Sequence, residues 1–170
     1  MRRVIKDLLL WALLVCGIFS AGKAEAAAVK INKTNFPDNL LREKLKYKDY
    51  NKDGKLSDKE IKKIKEIDLR AEKDGKYWKI NLKGISKLTN LKDLSLAALV
   101  IENRAEMEQL KSLQKLYFYQ YRDVDIFDLG GMENVTDFSF ISESVREIIL
   151  NKNIKLRKLH LSIVTKKMKE

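Results

Sequence analysis

The chain has 170 residues, 45% of them hydrophobic and 35% charged, with one proline, one cysteine and a formal charge of +11. That length holds one domain with a real core, or one modest domain with a small appendage, and leaves no room for more. A lone cysteine excludes a disulfide framework, and lysines scattered among acidic residues describe a solvated surface rather than a nucleic-acid tract.

Arg2, Arg3 and Lys6 precede an apolar stretch from Leu8 to Phe19, and Ala24-Glu25-Ala26 places small residues where a signal peptidase reads them. Residues 1–26 therefore read as a cleaved secretory signal, the apolar stretch being too short for a stable membrane span. A retained amphipathic anchor is the alternative. Cys16 lies inside this stretch behind Val15, which argues against a lipoprotein, because that processing needs a small residue before the cysteine. Cleavage would leave a chain without cysteine and with a charge of +9, held by packing and a metal rather than by disulfides. That balance favours polyanions such as wall polymers and acidic glycans as attractive partners.

Residues 27–35 read as a tether. Asn35-Phe36-Pro37-Asp38 then opens a helix, with proline tolerated in the first turn and Leu40, Leu41 and Leu45 recurring at helical spacing. The next stretch runs Asp49-Tyr50-Asn51-Lys52-Asp53-Gly54-Lys55-Leu56-Ser57-Asp58-Lys59-Glu60. Asp49, Asn51 and Asp53 supply side-chain oxygens at positions 1, 3 and 5 of a twelve-residue loop, and Gly54 takes the sharp turn at 6. Lys55 offers a backbone carbonyl at 7, Ser57 a hydroxyl or bridging water at 9, and Glu60 a bidentate carboxylate at 12. This is the pattern of an EF-hand Ca²⁺ loop, so residues 36–67 are expected as a helix-loop-helix cap with Ile61, Ile64 and Ile67 on the exiting helix. Ser57 and Glu60 also spell an ordinary capping box, but that reading leaves Asp49, Asn51, Asp53 and Gly54 unexplained. Lys73-Asp74-Gly75 and Asp123 to Gly130 lack the spacing for a second loop, so the single hand is expected to be a structural clip.

From Leu82 the pattern changes. Leu88-x-x-Leu91-x-x-Leu94-x-Leu96 is followed by Leu110-x-x-Leu113-x-x-Leu116-x-Phe118 and Met132-x-x-Val135-x-x-Phe138-x-Phe140, at a period of 22 residues. Leu156-x-x-Leu159-x-Leu161 adds a copy, and Ile61-x-x-Ile64-x-x-Ile67-x-Leu69 fits the same template upstream, which would let the exiting helix run into a first strand. Steps of three suit an amphipathic helix as well, but the closing step of two is a strand signal. A fixed period of this length is the leucine-rich-repeat signature. The fold class is α/β: a short solenoid of about four to five repeats over residues 68–164, with a basic tail at 165–170.

Several of these stretches together resemble a known family. Phe36-Pro37-Asp38, the loop from Asp49 to Glu60 with Ile61, Leu82-Lys83-Gly84-Ile85 and Leu88-Thr89-Asn90-Leu91 are similar to secreted leucine-rich-repeat proteins of clostridia-type Gram-positive bacteria. In those proteins an EF-hand-like or dockerin-like segment precedes the array, and the later repeats look like the internalin type. The resemblance covers about residues 30–164 and implies export and recognition of a protein or glycan without catalysis. Two departures stand out. The slots where such repeats carry a ladder asparagine hold Leu99, Tyr121, Glu143 and Val164, and no polar cap follows Val164.

Side chains flanking the strand leucines face the concave side. They are Asp93, Ser95 and Ala97, then Lys115, Tyr117 and Tyr119, then Asp137, Ser139 and Ile141, then Lys158, His160 and Ser162. Lys115, Tyr117, Tyr119, Ile141, Lys158 and His160 are the candidate partner-binding residues, because tyrosine is enriched where contacts carry energy; packing of aromatics within strands is the alternative. No catalytic constellation is legible. His160 has no cysteine to pair with, the acidic residues of the loop are accounted for by the metal, and there is no glycine-rich phosphate loop. The reading is a secreted, non-enzymatic module whose array binds a protein or acidic surface polymer and whose cap holds one structural Ca²⁺. The alternative makes the calcium segment itself a dockerin-like docking element supported by the repeats.

Overall fold

The computed structural model describes residues 27–71, 78–121, 126–142, 145–150 and 155–163. The expected signal peptide at 1–26 and the basic tail at 165–170 lie outside the described residues, as do Lys73-Asp74-Gly75, Glu143 and Val164.

The chain begins with β1 (Val29–Lys30) and helix α1 (Asn39–Lys46). Asp38 caps α1, its carboxylate accepting from the Leu41 amide at 3.2 Å, while Lys44 and Lys46 lie in the last turn where the helix dipole favours cations. Leu41 and Leu45, one turn apart, are the buried face. After β2 (Lys55–Leu56) comes α2 (Asp58–Lys63), which starts with the Ser57–Glu60 capping box. It stops sooner than its isoleucine spacing suggests. Ile64 is already extended, and Ile67 belongs to β3 (Glu66–Arg70), whose alternating burial sends Ile67 and Leu69 into the core. The solenoid thus begins at Glu66. Residues 27–35 do more than tether: β1 pairs antiparallel with β2, and the Ile31 amide donates to the Gly54 carbonyl at 2.9 Å.

Beyond α2 the chain coils. β3, β5 (Asp93–Ala97), β7 (Lys115–Tyr121), β9 (Asp137–Ser142) and β11 (Lys158–Ile163) form one five-stranded parallel sheet in the spatial order β11-β9-β7-β5-β3. On the return legs, β4 (Trp78–Ile80) pairs with β6 (Leu99–Ile101), and β8 (Ile126–Asp128) with β10 (Glu147–Ile149), both parallel. A 3-10 turn over Ile85–Lys87 and the short helix α3 (Ala105–Glu108) complete the described connections. Parallel strands need long crossovers, and the coil supplies one at every step: strand starts follow at 27, 22, 22 and 21 residues from Glu66 to Lys158.

Register turns the repeat into a core. Leu94, Leu116, Phe138 and Leu159 stand side by side, as do Leu96, Phe118, Phe140 and Leu161. Leu88, Leu91, Leu110 and Leu113 from the crossovers meet the inward strand residues in one continuous cluster. Its middle is aromatic: Phe118 and Phe140 each lie 4.9 Å, ring centre to ring centre, from Phe127.

The asparagine ladder is absent from its usual place. Leu99 is buried and opens β6, and the β7–β9 ladder shifts register between Phe118 and Tyr121. A different ladder serves the turns. Asn90 donates to the Lys62 carbonyl at 3.1 Å, Ser112 to the Thr89 carbonyl at 2.6 Å and Asn134 to the Lys111 carbonyl at 2.9 Å. Each is the polar residue in a Leu-x-x-Leu-type turn, reaching back to a neighbouring coil.

The N-terminal end is closed. α1 packs against β3, Phe36 is fully buried, and Asp38 also accepts from the Asn81 amide at 3.3 Å. Gly84 sits against this seam at φ +89°, where a Cβ would lie 2.1 Å from the Asn35 carbonyl oxygen. Only glycine allows that approach. Among the described residues no helix is long and apolar enough to cross a membrane.

Candidate functional site

The loop between α1 and α2 ties its acidic side chains to its own amides. Asp49, largely buried, accepts from the Asp53 amide at 3.3 Å and the Gly54 amide at 2.8 Å. Asn51 accepts from that same Asp53 amide at 3.2 Å, and Asp53 from the Lys55 amide at 2.8 Å. Successive oxygens are thus turned into the loop, and the chain turns back through positive φ at Lys52 and Gly54. Lys55 and Ser57 lie on and just after β2.

Glu60 joins the two ends of the loop. One carboxylate oxygen accepts from the Tyr50 amide at 2.9 Å; the other accepts from the Ser57 amide at 2.9 Å and the Ser57 hydroxyl at 2.7 Å. The Ser57 side chain and then its backbone hold the Glu60 carboxyl below the ordinary glutamate range.

In kind these are hard oxygen donors suited to Ca²⁺, and each carboxylate oxygen has a second lone pair beyond the one its amide uses. In space the agreement is partial. Among the described residues no three His, Cys, Asp or Glu side chains stand together as a metal-holding group.

The outward face of the five-stranded sheet presents three rows. Glu66, Asp93, Lys115, Asp137 and Lys158 are aligned across the strands. From Asp93 onward their charges alternate, and they are paired: Lys115 Nζ lies 3.0 Å from Asp93 and Lys158 Nζ 3.4 Å from Asp137. Asp93's hydrogen bond raises the Lys115 pKa. The Thr136 hydroxyl, donating at 2.7 Å, is the chief cause that lowers that of Asp137, with Lys158 adding to it.

The second row is Asp68, Ser95, Tyr117, Ser139 and His160; Arg70, Ala97 and Tyr119 begin the third. The Tyr117 and Tyr119 rings are near-parallel at 11°, with centres 6.3 Å apart. Tyr119 is exposed; Tyr117 is half-buried, and that burial raises its pKa. Ile141 is half-buried at the register shift, between Phe140 and Ser142, while Lys158 and His160 are exposed on the last strand. All six partner-binding candidates therefore share one sheet face.

One further feature escaped the sequence. A cleft of about 480 Å³ opens between α1 and β4, bordered by Asp38, Glu43, Tyr47, Arg70, Trp78 and Lys79. Tyr47 is 81% and Trp78 54% exposed. No motif links a residue after a helix to one that opens a strand in the next coil, so only the fold brings them together.

No family model and no curated protein matches the chain. Among solved structures it is similar to an internalin (inlF) from Listeria monocytogenes strain 4b F2365, with a TM-score of 0.55 and 17% sequence identity over 79% of this chain. The match spans less than half, 46%, of the internalin chain. At that identity the likeness concerns the fold, and it agrees with the coil period, the parallel sheet and the leucine rows. The chain folds as a short leucine-rich-repeat solenoid.

Proposed function

We propose that this chain is an exported, non-enzymatic recognition module that binds a protein through its concave sheet, with the loop from Asp49 to Glu60 holding one structural Ca²⁺ at the N-terminal end. The observation that carries the reading is the pair of parallel tyrosines on a sheet whose lysines are already paired. Exposed tyrosine gives a partner a rigid apolar surface with a polar rim. Lys115 and Lys158, by contrast, spend their charge on Asp93 and Asp137, so an acidic polymer would have to compete with carboxylates in place. A protein is therefore favoured over an acidic wall polymer.

Two probes separate these partners. A photoreactive residue placed at Tyr119 is expected to cross-link to protein at the producing cell's surface or in its surroundings, and Tyr117→Ala should cut that yield at least severalfold. Retention on immobilised dextran sulfate should be weak and unchanged by Lys115→Gln with Lys158→Gln. Strong retention that this double variant abolishes, with no cross-linked protein, would transfer the function to polyanion binding. The calcium part of the proposal rests on the donor kinds at their positions and on Asp49 and Asn51 converging on one amide. Asp49, Asn51, Asp53 and Glu60 would hold the ion by side chains, Lys55 by its carbonyl, and Ser57 directly or through water. Bound there, it would brace the loop that β1 and α1 adjoin.

A further inference from the structure

We propose that the β11 edge is a self-association surface, at which a second copy of this chain pairs antiparallel with β11 and extends the sheet across a two-fold axis. The proposal is independent of the tyrosine face.

The two ends of the sheet are unlike. At one end α1 packs against β3. At the other, β11 pairs with β9 and with no further strand among the described residues. The Lys158 amide donates to the Thr136 carbonyl at 3.0 Å. In a parallel ladder the bonding alternates along the strand, so the backbone groups of Lys158, His160 and Ser162 serve β9. Those of Leu159, Leu161 and Ile163 point away from the sheet. The side chains of the same three residues extend the inner face. Leu159 and Leu161 are in register with Phe138 and Phe140, yet are 46% and 47% exposed, and Ile163 is 59% exposed. Their counterparts Leu94, Leu96, Leu116 and Phe118 are at most 1% exposed. An apolar stripe on an edge whose outward backbone groups meet no strand among the described residues is a template for another strand.

The geometry selects the occupant. A head-to-tail copy would have to offer its β3 end, against which α1 packs. β11 itself is complementary. With Leu161 opposite Leu161 and Leu159 opposite Ile163 of the other copy, these opposed pairs are of the hydrogen-bonded type, giving about six backbone bonds. That register keeps all three apolar side chains on the core side of both copies, whereas a slip by one residue would put them on opposite faces. It also sets His160 against Ser162 and brings no like charges face to face, since Lys158 lies at the strand's start beside its own Asp137. Such a contact is isologous and closes at two copies.

Sedimentation and light scattering of the full chain, across a wide range of concentration, should give a particle of twice 19.8 kDa. Leu161→Lys should give a monomer with unchanged circular dichroism. In a Cys16→Ser background, Leu161→Cys should oxidise to a covalent dimer, because opposed hydrogen-bonded residues have Cα atoms about 5.5 Å apart, within disulfide range. Ser162→Cys, on the other face and not opposite itself, should not. A monomer at every concentration, a dimer that survives Leu161→Lys, or a ladder of higher masses would each overturn the proposal. Should Leu161→Lys fail to fold, the two cysteine variants decide it: equal cross-linking by both sinks the register.

Discussion

Glu60 shows how much one carboxylate can organise. It closes the loop on itself through Tyr50 and Ser57 and starts α2 in the same act. Its carboxyl is held below the ordinary value of 4.5, chiefly by the Ser57 side chain. A carboxylate whose folded pKa is depressed contributes stability above the unfolded value and loses it as pH falls through the folded one. Stability should therefore decline below about pH 4.5. Glu60→Gln keeps the shape but replaces one acceptor oxygen with an amide that donates, so it should cost about 1.5–3 kcal/mol at neutral pH, the worth of hydrogen bonds to a charged group. Urea midpoints of both proteins at pH 7 and pH 3 provide the check. The gap between them should narrow in acid, and a gap that pH does not change would show that the charge of Glu60 contributes nothing.

At the scale of elements, the sequence was most legible where period and face agree. The closing step of two in each repeat gave strands at Asp93–Ala97, Lys115–Tyr121, Asp137–Ser142 and Lys158–Ile163, with the leucine rows inward. At Ile67 the sequence offered two readings, since steps of three continue a helix while the step of two to Leu69 opens a strand, and the strand's alternation governs burial. The segment at 27–35 was opaque because two residues of strand carry no periodicity; its partner, β2, is equally short. The turn ladder was hidden for another reason. Asn90, Ser112 and Asn134 recur at the repeat period, but their acceptors are backbone carbonyls 23 to 28 residues away, which only the coil brings within reach. On the sheet face the residues were foreseen and their pairing was not, since ion pairs such as Lys115–Asp93 depend on register between strands 22 residues apart.

The loop is the element whose chemistry most needs a direct measurement. The structure supplies amide partners for Asp49 and Glu60, so the loop has a closed form that its own hydrogen bonds support. Ca²⁺ would add to that closure. A ligand that binds only the folded state contributes about 2.7 kcal/mol at a hundred times its Kd, which at this size raises the melting temperature by roughly 5–10 °C. Thermal unfolding in millimolar Ca²⁺ against chelator should show such a rise, and Asp49→Ala should erase it. An unchanged melting temperature at saturating Ca²⁺ would leave the loop as a capping motif closed by Asp49 and Glu60 through their own amide partners.

Across the whole molecule, the solenoid passes stability from coil to coil, because each repeat touches chiefly its neighbours. The two ends are then linked only through the middle, where Phe118, Phe127, Phe138 and Phe140 converge between β7 and β9. Each of the four rings lies within 6.3 Å, centre to centre, of the other three, and Phe118, the one on β7, is fully buried. Phe118→Ala should cost about 3–5 kcal/mol through lost contact and the cavity left behind. Its more telling effect should be on cooperativity. The N-terminal coils retain their leucine core and the seam at Phe36 and Gly84, whereas β9 and β11 lose the packing that joins them to β7. Hydrogen exchange in the variant should then accelerate in β9 and β11 well before β3 and β5, and thermal unfolding should broaden or split. A uniform rise in exchange across all five strands would mean that coupling along the solenoid does not run through the phenylalanines, and that the sheet ladder alone transmits it.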